Sequence, residues 1–406
     1  MEVRVSKAAE VDENFQRARY NTVMETPSTE PKSPISPVAS RYTGKVVYIY
    51  AYDVAYDMQR RPLMELLGQP VSGFGVGVTK RSPRRALFYR PQMVRLPVME
   101  CSGSGGPVRL EPTVKLFPVG AISIAVSVPF SVDRLEELAA FHDPQLQDGT
   151  MTDKVREVAE QLRGELAPYC IRPVEELAEG EAYTVFCMES SGASAGTAGS
   201  SVERWLDDHR RQIASLLTEE PDISVLSDQE VRESTDKFLS YYGHDLAVLD
   251  WDAALIVDEP ENFEVIQHII ELANVQLEEL RAYDRLLDAA LERSYRDLGG
   301  ANPRGSRGVH RGLREIRVDM ARLNDELSNA TKFFGDWHFA RLYQAISSRF
   351  HLEDWQRVIA DKLRTLDGLY QILNQDRVNR WMIVLEATIV LLFIIDVIIL
   401  LIGLRH

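Results

Sequence analysis

Four groups of residues have types and spacings that could do chemistry. Gly192-Ala-Ser-Ala-Gly196 matches the G-x-S-x-G nucleophile elbow, in which a tight strand-to-helix turn exposes a serine. The pattern follows a predicted strand at Ala182–Met188, and His209 and His244 lie downstream. However, Thr197-Ala-Gly-Ser-Ser201 stands where the helix must begin, and no H-G-G-G-type oxyanion segment precedes it. Small-residue repeats generate this pattern by chance, so a hydrolase using Ser194 is set aside.

Gly73-Phe-Gly-Val-Gly77 lacks both the G-x-G-x-x-G spacing and the Gly-Lys-Ser/Thr ending of a phosphate loop, and is read as a tight strand or turn. His268 has Glu264 and Glu271 within a turn of helix. That spacing makes no H-E-x-x-H or Glu-x-x-His pair, so the three are expected to form a hydrogen-bonded surface cluster, not a metal site. The sequence implies no cofactor, no small-molecule substrate and no reaction. The fourth group is basic: Lys80, Arg81, Arg84, Arg85, Arg90 and Arg95 fall within sixteen residues that contain no acid, with Phe88 and Tyr89 among them. Such a stretch suits RNA phosphates or anionic lipid headgroups, with a solvated face as the plain alternative. Arg304, Arg307, Arg311, Arg314 and Arg317, with one acid at Glu315, are a weaker copy.

Residues 1–40 carry Pro31, Pro34 and Pro37 among Ser, Thr and charge, and read as a tail. Lys45-Val-Val-Tyr-Ile-Tyr-Ala-Tyr-Asp-Val54 then reads as a strand. A helix is predicted at Pro62–Leu67, ended by Gly68, followed by strand-like stretches at Gly75–Val78, Arg85–Tyr89 and Val114–Val128. Helices are predicted at Val132–Ala140, Met151–Leu166, Val202–Leu217 and Asp228–Tyr242, and paired strands at Asp245–Trp251 and Ala253–Val257. The order shows no regular βα repeat, which favours an α+β head over residues 41–260.

Residues 261–380 read as a helical stalk. One helix, Phe263–Leu298, has Ile266, Ile269, Ala273, Leu280, Tyr283, Leu287 and Ala290 on one stripe. The next carries Leu313, Ile316, Met320, Leu323 and Leu327 in alternating steps of three and four, the seam of a coiled coil. A last helix holds Leu352, Trp355, Ile359, Leu366, Leu369 and Leu373, with Lys362 interrupting the seam. An intramolecular bundle and an intermolecular coiled coil both satisfy these patterns.

Residues Trp381–Leu404 are 24 residues that are apolar except for Glu386, Thr388 and Asp396. As a helix they span roughly 36 Å, enough for one transmembrane crossing. Only Arg405 and His406 follow, so the expected topology is tail-anchored, and Arg364, Arg377 and Arg380 favour a cytoplasmic head. Asp396 lies near the middle, where a carboxylate costs about 2.5–3.5 kcal/mol. Self-association through Glu386 and Asp396 relieves that cost; another membrane partner, or acids that reach the interface, are the other outlets.

With 46 Lys and Arg against 61 Asp and Glu, the net charge of −15 argues against a chain that binds nucleic acid over its whole surface. Composition is 45% hydrophobic and 26% charged, enough to bury a core. Cys101, Cys170 and Cys187 are too few and too far apart for a disulfide framework, which fits a reducing compartment.

Tyr50-Ala-Tyr-Asp-Val-Ala-Tyr-Asp57, Phe117-Pro-Val-Gly-Ala-Ile122, Leu249–Asp258, Leu272–Asp284 and the membrane pattern Leu385-Glu386 with Asp396 follow one another in a familiar order. Over roughly residues 45–404 the chain resembles the "required for meiotic nuclear division" family, a domain of unknown function. Asp396 stands where that family usually has Glu, and Val119 where an aromatic is common. The resemblance implies a membrane-anchored, oligomeric protein. Mitochondrial members are implicated in supporting translation, and no catalytic residue carries over. The expectation is an α+β head, a long-helix bundle or coiled-coil stalk, and one C-terminal transmembrane helix at 381–404. The expected role is a self-associating membrane scaffold or tether, with an RNA- or ribosome-binding factor as the alternative. The bacterial cytoplasmic membrane is favoured over a mitochondrial one.

Overall fold

Val46–Tyr52 is buried residue after residue, so this strand is covered on both faces. It forms the inner part of β1 (Tyr42–Asp53) in a computed structural model that describes residues 42–59, 63–74, 91–103, 106–142, 144, 146, 149–190, 202–299, 318 and 337–403. The other strands are β2 (Ala55–Met58), β3 (Glu65–Leu66), β4 (Gln69–Pro70), β5 (Ser72–Gly73), β6 (Gln92–Arg95), β7 (Met99–Gly103), β8 (Gly106–Leu116), β9 (Ala121–Val132), β10 (Cys170–Pro173), β11 (Glu181–Glu189), β12 (Phe238–Leu239), β13 (Leu246–Leu249) and β14 (Ala253–Asp258). Among the described residues ten of them make one sheet, in the order β12-β13-β14-β11-β1-β9-β8-β6-β5, with β7 paired to β8. Val47 sits opposite Val185 of β11 on one side and Ser127 of β9 on the other, both antiparallel. β11 and β14 run parallel.

The helices are α1 (Met151–Leu166), α2 (Val202–Leu217), α3 (Asp228–Asp236), α4 (Pro260–Gly299), α5 (Trp337–Arg349) and α6 (Leu352–Gly403). Alternation along β1 divides the core. Tyr48, Tyr50 and Tyr52 point to a layer with Val155 and Leu162 of α1 and Leu206 and Ile213 of α2. Val47, Ile49 and Ala51 point to a layer with Ile266, Ile269 and Ala273 of α4, Ile346 of α5, and Ile359 and Leu366 of α6. The fold is therefore mixed, sheet-rich first and helical later.

The helix expected at Pro62–Leu67 is instead the hairpin β3–β4. Leu67 and Gly68 have φ of 49° and 69°, the two positive values that a tight hairpin turn requires. Gly68 serves the turn, not a helix end, and six residues are too few to repay helix nucleation. The stretch Val114–Val128 is two strands, because Phe117–Gly120 turns between β8 and β9. Val132–Ala140 is a 3-10 turn at Leu135–Phe141, and the helix expected to reach Tyr242 stops at Asp236, where β12 takes over. The α4 stripe is buried as expected, but its first half lies on the sheet. The seam Leu313–Leu327, the arginines at 304–317 and Ser194 fall outside the described residues.

Gly120 is the residue on which the β8–β9 turn depends. Its φ is 94°, and a Cβ there would lie 1.9 Å from the Ala55 carbonyl oxygen. Its own carbonyl accepts from Val54 N and Ala55 N at 2.9 and 3.0 Å. Gly120→Ala should therefore lower stability by at least about 2 kcal/mol. The thermal midpoint of the purified chain in detergent would report it, and an unchanged midpoint would show that this joint is not constrained.

Candidate functional site

Segments far apart in the chain converge at one end of the sheet. β1 ends there at Asp53, opposite Ala121 at the start of β9, and β11 and β14 begin there. The Phe117–Gly120 turn receives the β1–β2 junction, with Met58 N donating to Pro118 O at 3.0 Å as well as the two bonds to Gly120. At the β13–β14 turn, Asp250 accepts the Tyr183 hydroxyl at its carbonyl, at 2.9 Å, and pairs through its carboxylate with Arg349 at the end of α5. α4 reaches the same end along the sheet face, where Asn274 donates to Glu181 O at 3.0 Å. Four of the segments singled out in sequence, Tyr50–Asp57, Phe117–Ile122, Leu249–Asp258 and Leu272–Asp284, thus meet in one place.

The chemistry at this end is carboxylate and guanidinium. Asp53 follows Val47, Ile49 and Ala51 onto the α4 side, and burial pushes its carboxyl up to about 6 despite the opposing pull of Arg285. Glu278, 1% exposed, is raised to about 7 by burial, with Asp53 adding to the rise; Arg285, bonded to it at 2.8 Å, opposes it. Arg281, one turn before Arg285, pairs with Glu181. Burial pushes the nearby Tyr52 hydroxyl up to about 12. Beside these groups is an open cleft of about 420 Å³, lined by Glu179–Ala182, Arg281, Asp284, Arg285 and Trp355. Lys362 of α6 closes the network, reaching Asp284 and Asp288 at 2.6 Å each.

A second polar cluster is fully enclosed. Lys115 of β8 and Glu271 of α4 are 2% and 0% exposed and lie 2.5 Å apart. Gln267 donates to Glu271 at 2.7 Å, and the Phe74 ring lies 4.3 Å from the Lys115 ammonium. His268 packs its ring 4.5 Å from Phe74, and burial, with the Lys115 charge, holds it well below its usual value and so neutral. The surface cluster expected of His268, Glu264 and Glu271 is thus corrected: two of the three are inside, because α4 lies flat on the sheet. Only Glu264 is at the surface, paired with Arg95 at 3.1 Å. Lys80, Arg81, Arg84, Arg85 and Arg90 lie outside the described residues, so of the basic group only Arg95 is placed. No group of three or more His, Cys, Asp or Glu among the described residues is arranged to hold a metal ion.

The sequence reading passed over Asp53, Lys115, Glu278 and Arg285. A signal existed: Glu271 and Glu278 are seven apart and adjoin Ile270 and Leu277 of the apolar run, and Lys115 stands inside the strand Val114-Lys-Leu-Phe117. Charges within apolar runs mark burial with a partner.

At the other end of α6, Trp381–Ile398 forms a helix long and apolar enough to cross a membrane, and none of it is buried. Glu386 and Asp396 lie on it, without a hydrogen bond or ion pair among the described residues.

Residues 43–264 match the family described as "Uncharacterized protein MJ0711, N-terminal domain". The match covers more than half of the chain, and the chain belongs to that family. The relative of the same name from Methanocaldococcus jannaschii is 24% identical over 222 residues, which are 54% of this chain and 65% of that protein. No solved structure matches. The matched region comprises the sheet and its connections and ends in the first turns of α4.

Two outcomes follow from these clusters. Both Asp53 and Glu278 have folded values above their unfolded ones, so the stability they allow is complete below about pH 4 and is lost as pH rises toward about 7. Glu278→Gln should therefore raise the thermal midpoint over the parent at pH 8, with the gain shrinking to nothing near pH 4. A gain independent of pH would show that Glu278 does not titrate there. Lys115→Met leaves Glu271 charged and buried, at a cost of about 3–5 kcal/mol. Adding Glu271→Leu should restore most of the stability in a denaturant series, whereas additive losses would mean the two do not interact.

Proposed function

We propose that this member of the MJ0711 N-terminal domain family is a membrane-anchored scaffold that self-associates through its apolar helix. The main support is the continuity of α6, one 52-residue helix. Its first part is fixed in the core by Leu352, Ile359, Leu363 and Leu366. Its later part, Trp381–Ile398, is exposed along its whole length, a length of about 27 Å that approaches the thickness of a hydrocarbon layer. An apolar surface of that size is not left in water. About 26 residues, or roughly 39 Å of helix, separate Trp355 at the cleft from Trp381, so the head stands away from the bilayer on a rigid connection.

Glu386 and Asp396 give this anchor its partner. At about 100° per residue, Glu386 falls roughly 170° from the stripe that α6 turns toward α4. It is therefore free to meet another helix, and a second copy offers the same acids for mutual hydrogen bonding. The resemblance to the "required for meiotic nuclear division" family, and a cytoplasmic head at a bacterial cytoplasmic membrane, belong to the same reading. No catalytic step is part of it.

Two measurements test the proposal. The parent chain should float with liposomes and resist alkaline extraction, and Leu391→Arg with Ile395→Arg should weaken both, each arginine costing about 2.5–3.5 kcal/mol of insertion. A parent that stays soluble and monodisperse without detergent would end the membrane reading. In mild detergent, Glu386→Leu with Asp396→Leu should lower the particle mass; the same mass as the parent would end the role of the acids.

A further inference from the structure

The cleft beside Arg281 and Arg285 has a use that scaffolding does not require. Three elements build it: the Glu179–Ala182 backbone entering β11, the Arg281–Arg285 turn of α4, and Trp355 of α6. Its β11 wall is pinned, because a Cβ on Gly180 would lie 2.5 Å from the Tyr52 ring. The volume of about 420 Å³ is in the range of small-molecule sites, which combine an apolar wall with a few convergent polar groups.

The charges in the cleft decide which ligand fits. Each guanidinium has five N–H donors. Among the described residues Arg281 pairs with Glu181 and also feels the Glu179 carboxylate at the cleft edge, and Arg285 pairs with Glu278 and faces Asp53. The two arginines are 40% and 46% exposed, so donors remain open to the cleft. Asp284 is occupied by Lys362. We propose that the cleft binds a small organic anion, its carboxylate or phosphate bridging Arg281 and Arg285 and its planar body lying against the Trp355 indole. Bidentate pairing makes guanidinium suited to either anion, and stacking on an indole favours a flat body.

The partner of Arg285 adds a pH dependence. Glu278 is faced by Arg285 on its own helix and by Asp53 from β1, and Arg281, paired with Glu181, follows it by one turn. It is raised to about 7, so lowering the pH through neutrality removes its negative charge and leaves more of Arg285 for the ligand. The site stands whether or not the chain self-associates.

Calorimetry on the full chain in detergent, with benzoate, adenosine monophosphate and inorganic phosphate as probes, tests this. Benzoate or the nucleotide should bind more tightly than phosphate and about tenfold more tightly at pH 6 than at pH 8. Arg281→Gln should reduce affinity about tenfold or more, as should Trp355→Leu, while Glu278→Gln should bind at pH 8 as the parent does at pH 6. Arg281→Lys, which keeps the charge to Glu181, guards against loss of folding and should still bind less tightly than the parent. No binding by any probe at about 10 mM, binding indifferent to Arg281 and Trp355, or binding of spermidine in place of the anions would each overturn the proposal.

Discussion

The burial of α4 on every side is the constraint from which most of the structure follows. From Phe263 to Ala282 nearly every residue of this helix is enclosed by the sheet below and by α5 and α6 above. A helix in that position cannot keep a solvated polar face. Gln267, His268, Glu271, Asn274, Gln276 and Glu278 are nonetheless inside, and each needs a partner or a neutral state. The partners come from all around: Lys115 from β8, the Glu181 carbonyl from β11, and the Tyr343 hydroxyl, which donates to Gln276 at 2.5 Å. His268 takes the other course and stays neutral between Phe74 and Phe117. These polar contacts fix the register of α4 on the sheet more narrowly than apolar contacts could, since one turn of slippage would strand several groups at once.

That register places Arg281, Asp284 and Arg285 beyond the sheet's end, where α6 meets them. Lys362 reaches Asp284 and Asp288, and Trp355 lies beside the arginines. The helix that supplies both residues continues to Gly403 as one element. A change in how α6 packs on α4 must therefore alter either the cleft wall or the direction of the apolar segment, because one unbroken helix carries both. The exposed Trp381–Ile398 length and the Trp355 wall of the cleft are thus carried by the same helix.

The periodic parts of this arrangement were legible in the sequence. The bounds of α1 and α2, the β13–β14 hairpin and the α4 stripe follow from amphipathic spacing, and the apolar segment follows from its length. What the sequence hid was which apolar elements are covered twice. The α4 stripe marks one buried side, but Glu271 and Glu278 lie off that stripe, and a polar residue off the stripe reads as solvated until a second layer is known. Lys115 was hidden for the same reason: alternation along Val114–Phe117 assigns it to a face without saying what covers that face. The short elements failed differently. Leu67-Gly68 has the residues of a helix end and the dihedral angles of a hairpin, and only the pairing of Glu65 with Pro70 separates the two.

The boundary of the family match has a consequence for chemistry. The match to residues 43–264 contains Asp53, Gly180 and Glu181 but stops before Glu278, Arg281, Arg285 and Trp355. One wall of the cleft thus comes from the shared sheet and the other from helices outside the matched region. The sheet can hold its form with different helices on this face only if their polar groups answer the same demands: a partner for Lys115, and a charge or a proton for Asp53. A helix with no acid opposite Lys115 would leave an ammonium buried without a counter-charge, which is more costly than removing the pair altogether. Lys115 therefore limits which helices this sheet can accept, while Arg281, Arg285 and Trp355, standing past the sheet's end, are not held to that demand.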